Sequence, residues 1–143
     1  MATGKTSARY IRVSFNSQDI SASVSDISGV GLDYEQQDVT AYSDGVKNFT
    51  LGHPSAEIDI SGPLNNTATT GGHTVFSAIA NAPYTADSYP LTVQFGIRAA
   101  PTGTDPEFEG AYQLQSYIVN GDATYTAHLV PATATAPAWG TVA

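Results

Sequence analysis

Two acid pairs, Glu57/Asp59 and Glu107/Glu109, and three histidines, His53, His73 and His128, are the side chains whose types and spacing could do chemistry in this chain. Each acid pair is spaced i,i+2, so on a strand its members share one face. Glycoside hydrolysis needs two carboxyls facing each other across a cleft, one with a raised pKa. Neighbouring acids on one strand describe a solvated face instead. The histidines lie far apart and none has a second ligand at metal-binding spacing, so each is expected at the surface or in packing.

Other fragments of motifs stay fragments. "TGKT" near the start resembles the end of a phosphate loop, without the strand and the first glycine that loop needs. "GVGLDY" has two glycines of a dinucleotide loop and no helix after them, and "GHPSAE" lacks the glycine spacing of a nucleophile elbow. No segment concentrates oxygen ligands as a calcium loop does. The sequons at Asn48 and Asn65 mark polar loops. The absence of cysteine excludes disulfides and thiolate metal sites and suits a reducing compartment. No enzyme activity, cofactor or metal is expected.

Charge narrows the partners. Thirteen acids against five bases give a net charge of −8 over 143 residues. The bases are Lys5, Arg9, Arg12, Lys47 and Arg98, with no cluster outside the first strand and the segment before it. Gripping nucleic acid needs clustered cations that displace counterions from phosphates. This chain should repel DNA. Its longest apolar run, around Val75 to Ala80, is far too short for a membrane span. The opening "MATGKTSARY" has no apolar h-region, so a secretory signal is not expected. Only 13% of residues are charged, and Ser, Thr, Asn and Gln fill the surface. Such a surface suits either coverage by partners or a neutral hydrophilic exterior.

The elements that must position these residues are mostly strands. "YIRVSF" alternates Ile11, Val13 and Phe15 against Tyr10, Arg12 and Ser14, and "SAEIDIS" sets Ile58 and Ile60 opposite Glu57 and Asp59. "QDISASVSDIS" predicts a turn and then a strand from about Ser21. "LTVQFGIR" turns Val93, Phe95 and Ile97 inward. "HTVFSAIANA" spaces Val75, Phe76, Ile79 and Ala80 as a short helix over about 73–82, closed by Pro83. "AAPTGTDPEFEG" reads as a long loop. "AYQLQSYIV" and "ATYTAHLV" are strands joined at Asn120-Gly121-Asp122, a strong hairpin signal. Six or seven strands and one helix predict a mainly β domain over residues 9–130, a two-sheet sandwich or partly open barrel. Residues 1–8 and the Ala/Thr/Pro tail 131–143 are candidate arms, the latter anchored by Trp139.

Between the strands lies a long polar excursion, Asp38 to Gly52, which runs into the acid-studded strand. Loops serving only their own domain are usually shorter. The run Arg9 to Leu64, with "ARYIRVSF", "DIS", "DVTAYSDG", "FTLG" and "SAEIDISG", resembles the N-terminal half of the major tail tube proteins of long-tailed bacteriophages. The closing "FEGAYQLQSYIVNGDATYTAHLVPATATAPAWG" is similar to that family's last hairpin and small-residue tail. The chain departs from the pattern at His53-Pro54 and in its tight last hairpin.

The resemblance implies a two-sheet β-sandwich with a flanking helix, assembled as rings, usually of six subunits. The rings would stack into a tube that conducts the genome, bound at its ends by other tail proteins. The chain would sit in the virion tail and assemble in the host cytoplasm. Asp38, Tyr42, Asp44, Lys47, Phe49 and Leu51 would then make inter-ring loop contacts.

Elementary geometry points the same way. Strands lie about 4.8 Å apart and tilt by roughly 40° in a barrel. Four strands from one chain would close at about 8 Å, filled by their own side chains. About 24 strands leave on the order of 40 Å of free bore, wide enough for a duplex. Six copies multiply the negative charge, and an anionic wall would not hold phosphates. Glu57 and Asp59 are the candidate lumen-lining acids; the pleat equally allows them on the outside of a tube. Two other readings stay open: a capsid decoration or Ig-like binding module, and a β-sandwich glycoside hydrolase.

Overall fold

The computed structural model describes residues 11–67, 71–82, 85–96, 103, 105–133 and 135–142. The predicted N-terminal arm, with Arg9, Tyr10, Pro83, Ile97 and Arg98, lies outside the described residues.

Alternation in the sequence becomes alternation in burial. Along β6 (Ile58–Pro63), Ile58, Ile60 and Gly62 are buried, and along β7 (Tyr89–Phe95) Tyr89, Leu91 and Val93 are. Similarly β1 (Ile11–Phe15) buries Val13 and Phe15, and β9 (Thr124–Pro131) buries Tyr125, Ala127 and Leu129. Among the described residues the fold is mainly β, with two sheets and one α-helix, and the barrel stays open. The main sheet has the order β2-β1-β7-β8-β9-β6-β3, where β2 is Gln18–Asp19 and β3 is Asp26–Ser28. All its pairings are antiparallel.

The long strand β8 (Pro106–Val119) joins the two halves of this sheet. Its first half pairs with β7 on one side and with β10 (Ala138–Thr141) on the other. Its second half pairs with β9, with a register shift between Leu114 and Ser116. The two halves face each other over one core. The helix α1 (Gly72–Asn81) fills the space between them, burying Val75, Phe76 and Ile79. Phe76 stacks on Phe15 of one half at 5.6 Å and reaches Tyr117 and Tyr125 of the other at 5.5 and 5.7 Å.

Several elements depart from expectation. The strand expected from Ser21 is instead a 3-10 turn, Ser21–Ser23, and the strand begins at Asp26. Ile20 and Ser23 are buried there, and the chain must cross from the β1 edge to the β6 edge. Residues 106–110, expected as loop, open β8, because β10 from the tail supplies a second pairing edge. The Asn-Gly hairpin turns differently from a two-residue type I′ loop. Asn120 accepts the Ala123 N–H at 3.1 Å, and the left-handed position falls on Ala123 (φ 63°) rather than on Gly121.

Among the described residues β1 and β3 do not pair, and side chains tie together the elements around that gap. Ser23 is fully buried; its Oγ accepts the N–H of Gly72 at the start of α1 (2.9 Å), and its carbonyl accepts the Tyr125 hydroxyl (2.7 Å). Tyr112 donates to the Ala56 carbonyl at 2.7 Å, and burial pushes its phenol up to about 12. The Ser23→Ala change leaves the buried Gly72 N–H without an acceptor. It is expected to lower unfolding stability by about 1–3 kcal/mol, measurable as a reduced urea midpoint; an unchanged midpoint would remove Ser23 from this role.

Candidate functional site

The polar excursion is the tip of an arm. Among the described residues, strands β4 (Asp33–Asp38) and β5 (Phe49–Ser55) pair only with each other, forming the second sheet. Thus residues 49–52, expected as part of the loop, are strand, and the loop proper is 39–48. Residues 33–51 are exposed throughout. At the root, Gly29 adopts φ 81°, and a Cβ there would lie 2.3 Å from the Glu57 carbonyl oxygen, so the chain can turn out of the sheet only as glycine. Between the Tyr34–Pro54 and Gln36–Leu51 pairs, Glu35 alone opposes Gly52 and His53. This bulge bends and twists the ribbon. Both edges of a two-stranded ribbon are free, which is where a strand proline such as Pro54 is tolerated.

Register sorts the arm's side chains onto two faces, because directly paired residues point the same way. Tyr34, Gln36, Asp38, Phe49 and Leu51 share one face, and Glu35, Gln37 and Thr50 share the other. The apolar members Tyr34, Phe49 and Leu51 are all exposed, as are Val39, Tyr42 and Val46 at the tip, with Tyr42 at 111% of its reference area. The tip is nevertheless built to one shape. Asp38 accepts the Thr40 N–H (2.9 Å), Thr40 exchanges bonds with Asn48, and Asp44 accepts the Ala41 N–H (2.8 Å). The Thr40 bonds lower the Asp38 pKa. Asp38 and Asp44 therefore hold the loop's shape, while Tyr42, Lys47, Phe49 and Leu51 present outward.

The second surface is the exposed face of four strands, β3, β6, β9 and the end of β8. Register places Asp26 beside Ser61 and Thr126, and Ser28 beside Asp59, His128 and Ser116. Glu57 lies on the same face as Asp59. His128, expected to stand alone, bridges both acids: Nδ1 lies 2.5 Å from Asp59 Oδ1 and Nε2 3.4 Å from Glu57 Oε1. The Asp59 hydrogen bond raises the His128 pKa; partial burial opposes it and Glu57 adds to the rise. The cue lay in strand register, since His128 and Asp59 are 69 residues apart.

The other acid pair also differs from expectation. Glu107 is buried, 7% exposed, and its Oε2 accepts the Gln94 amide N–H at 2.6 Å. A hydrogen bond and like charge from Glu107 raise the Glu109 pKa. These two carboxyls lie side by side on one strand, unlike the pair a glycosidase sets opposite each other across a cleft. His73 hydrogen-bonds the Tyr117 hydroxyl at 2.9 Å. Trp139, in β10, packs edge-on against Phe108 at 5.0 Å and lies 5.9 Å from Phe95. Among the described residues no group of three or more His, Asp or Glu side chains could hold a metal, and no helix is long and apolar enough to cross a membrane.

This architecture recurs in chains of other solved assemblies. No protein-family model matches the chain, and no curated protein is significantly similar to it in sequence. Solved structures do match. The chain is similar to a chain of the tube-terminating cap of the anti-feeding prophage, with TM-score 0.71 and 11% identity, covering 99% of this chain and 95% of that one. It is similar to a chain of the PVC sheath/tube terminator of an extracellular contractile injection system, with TM-score 0.66, 15% identity and coverage of 96% and 97%. A chain of a native gene transfer agent virion matches with TM-score 0.67, 13% identity and coverage of 96% and 100%. The fold is thus shared with these terminator, cap and virion chains over nearly the whole length.

The His128 bridge gives stability a defined pH dependence. The folded pKa is raised, so the stabilisation is complete below the ordinary value of about 6.5 and is lost as pH rises through the raised value. Between about pH 6 and pH 8 the wild type should lose melting temperature relative to His128→Gln; parallel curves would show that the bridge contributes nothing.

Proposed function

We propose that this chain is a non-enzymatic structural subunit of a phage-like tail tube, assembling into stacked, six-membered rings around a DNA-conducting channel. One observation carries the reading: a two-stranded arm with an apolar face and an ordered tip that its own chain leaves uncovered. Isolated ribbons of two strands are marginal in water, and exposed apolar patches of this kind mark protein contacts. Tyr42, Lys47, Phe49 and Leu51 reach the adjacent ring, with Asp38 and Asp44 fixing the loop that presents them.

The open sheet supplies the wall. Six copies of the four-strand face give about 24 strands, the number that leaves room for a duplex. Glu57 and Asp59 line the bore, and their charge keeps passing phosphates from sticking. The tail, held by Trp139, seals each subunit's β8. Other tail proteins meet the tube at its ends, and the chain's place is the virion tail, reached after assembly in the host cytoplasm.

Each apolar arm side chain buried at a contact stabilises it by about 1.5–3 kcal/mol. Replacing Phe49 and Leu51 by Ser should therefore raise the concentration needed for assembly by at least about 100-fold while circular dichroism still shows a folded monomer. Sedimentation velocity reads the difference. Equal assembly by variant and wild type would reject the arm as the ring-to-ring contact.

A further inference from the structure

Where the main sheet fails to close, a cavity of about 220 Å³ opens between β1 and β3. Ile11, Val13, Val24 and Ile27 wall it, and Asp26 is among the lining residues. The Ser21–Ser23 turn bridges the gap beside it and leaves the apolar walls lining an opening. The same chain carries a knob that matches such a hole: Tyr42, the most exposed large hydrophobic side chain described, on a tip held by its own hydrogen bonds. In its own chain the tip touches no such cavity and stays in solvent.

Charge selects the occupant. Among the described residues the bases are Arg12, which faces Asp19 at 3.9 Å, and Lys47, for which no acid is in reach. Asp26 is exposed at the cavity with no basic partner among the described residues. Knob with base and hole with acid are complementary, and they sit on different parts of one chain. A contact of that kind is heterologous, so each copy offers one knob and one hole, and the contact propagates from copy to copy.

We propose that the cavity between β1 and β3 is the socket for the arm tip of a second copy, with Tyr42 entering among Val13, Val24 and Ile27 and Lys47 meeting Asp26. This rests on the tube reading only in requiring that copies associate through their arms; it names the surface that receives them.

The chain has no cysteine, so introduced thiols report the contact without background. Gly45, where a Cβ would meet nothing within 4 Å, and Ser25 at the cavity are changed together, Gly45→Cys with Ser25→Cys, in the full chain. The concentrated protein is then oxidised in air with copper-phenanthroline. The expected result is a ladder of covalent oligomers on a non-reducing gel that collapses on reduction, with each single variant giving at most dimers. Charge reversal adds a second readout: Lys47→Asp and Asp26→Lys should each raise the assembly concentration about tenfold, and the double reversal should restore it. An assembling wild type with no ladder, or with no rescue by the double reversal, overturns the socket and leaves the tube reading standing. A wild type that stays monomeric at every concentration overturns both.

Discussion

Apolar surface that its own chain leaves bare is the constraint on which this molecule turns. The core obeys ordinary rules: one curled sheet, a helix between its halves, and hydroxyl groups of Tyr112, Tyr125 and Ser23 tied to backbone partners so that no buried polar side-chain atom among the described residues is stranded. The arm obeys none of them by itself. Its strands pair with each other alone, and Tyr34, Phe49 and Leu51 line one face of the ribbon in solvent. A free chain carrying such a surface tends to associate, and a single specific mode of association turns that tendency into architecture.

The two halves of the molecule divide the work. The half containing β1, β7 and β10 closes against the tail through Trp139 on Phe108. The other half leaves a four-strand face of polar and acidic side chains that also exposes Ile118, with no Lys or Arg among its described residues. His128 sits at the middle of that face and compensates part of the Glu57 and Asp59 charge in a pH-dependent way. An acidic face and an apolar arm thus lie on one small domain, the two surfaces that the proposed conduit of repeated copies would use.

Much of this was legible in the sequence. Clean alternation located β1, β6, β7 and β9, helical spacing located α1 to within a residue at each end, and the long polar excursion marked the arm. What stayed hidden depends on contacts far apart along the chain. The start of β8 reads as loop because Pro106 and Gly110 flank the two glutamates, and only pairing with β7 and β10 makes that segment a strand. Glu107 looks solvated until Gln94 is placed opposite it. Ser23 gives no sign that it joins the 3-10 turn, α1 and β9. Neither does His53-Pro54 announce a bulge, although the mismatch of two residues against one accounts for it. The cavity between β1 and β3 is a property of a sheet left open, which no local pattern encodes.

Cryo-electron microscopy of the purified, concentrated chain tests the central claim most directly. The account predicts stacked rings in which every arm is buried against another copy and Glu57 and Asp59 face a bore wide enough for a duplex. Dispersed monomers with solvated arms, or an assembly whose acids lie on its outer surface, would contradict it.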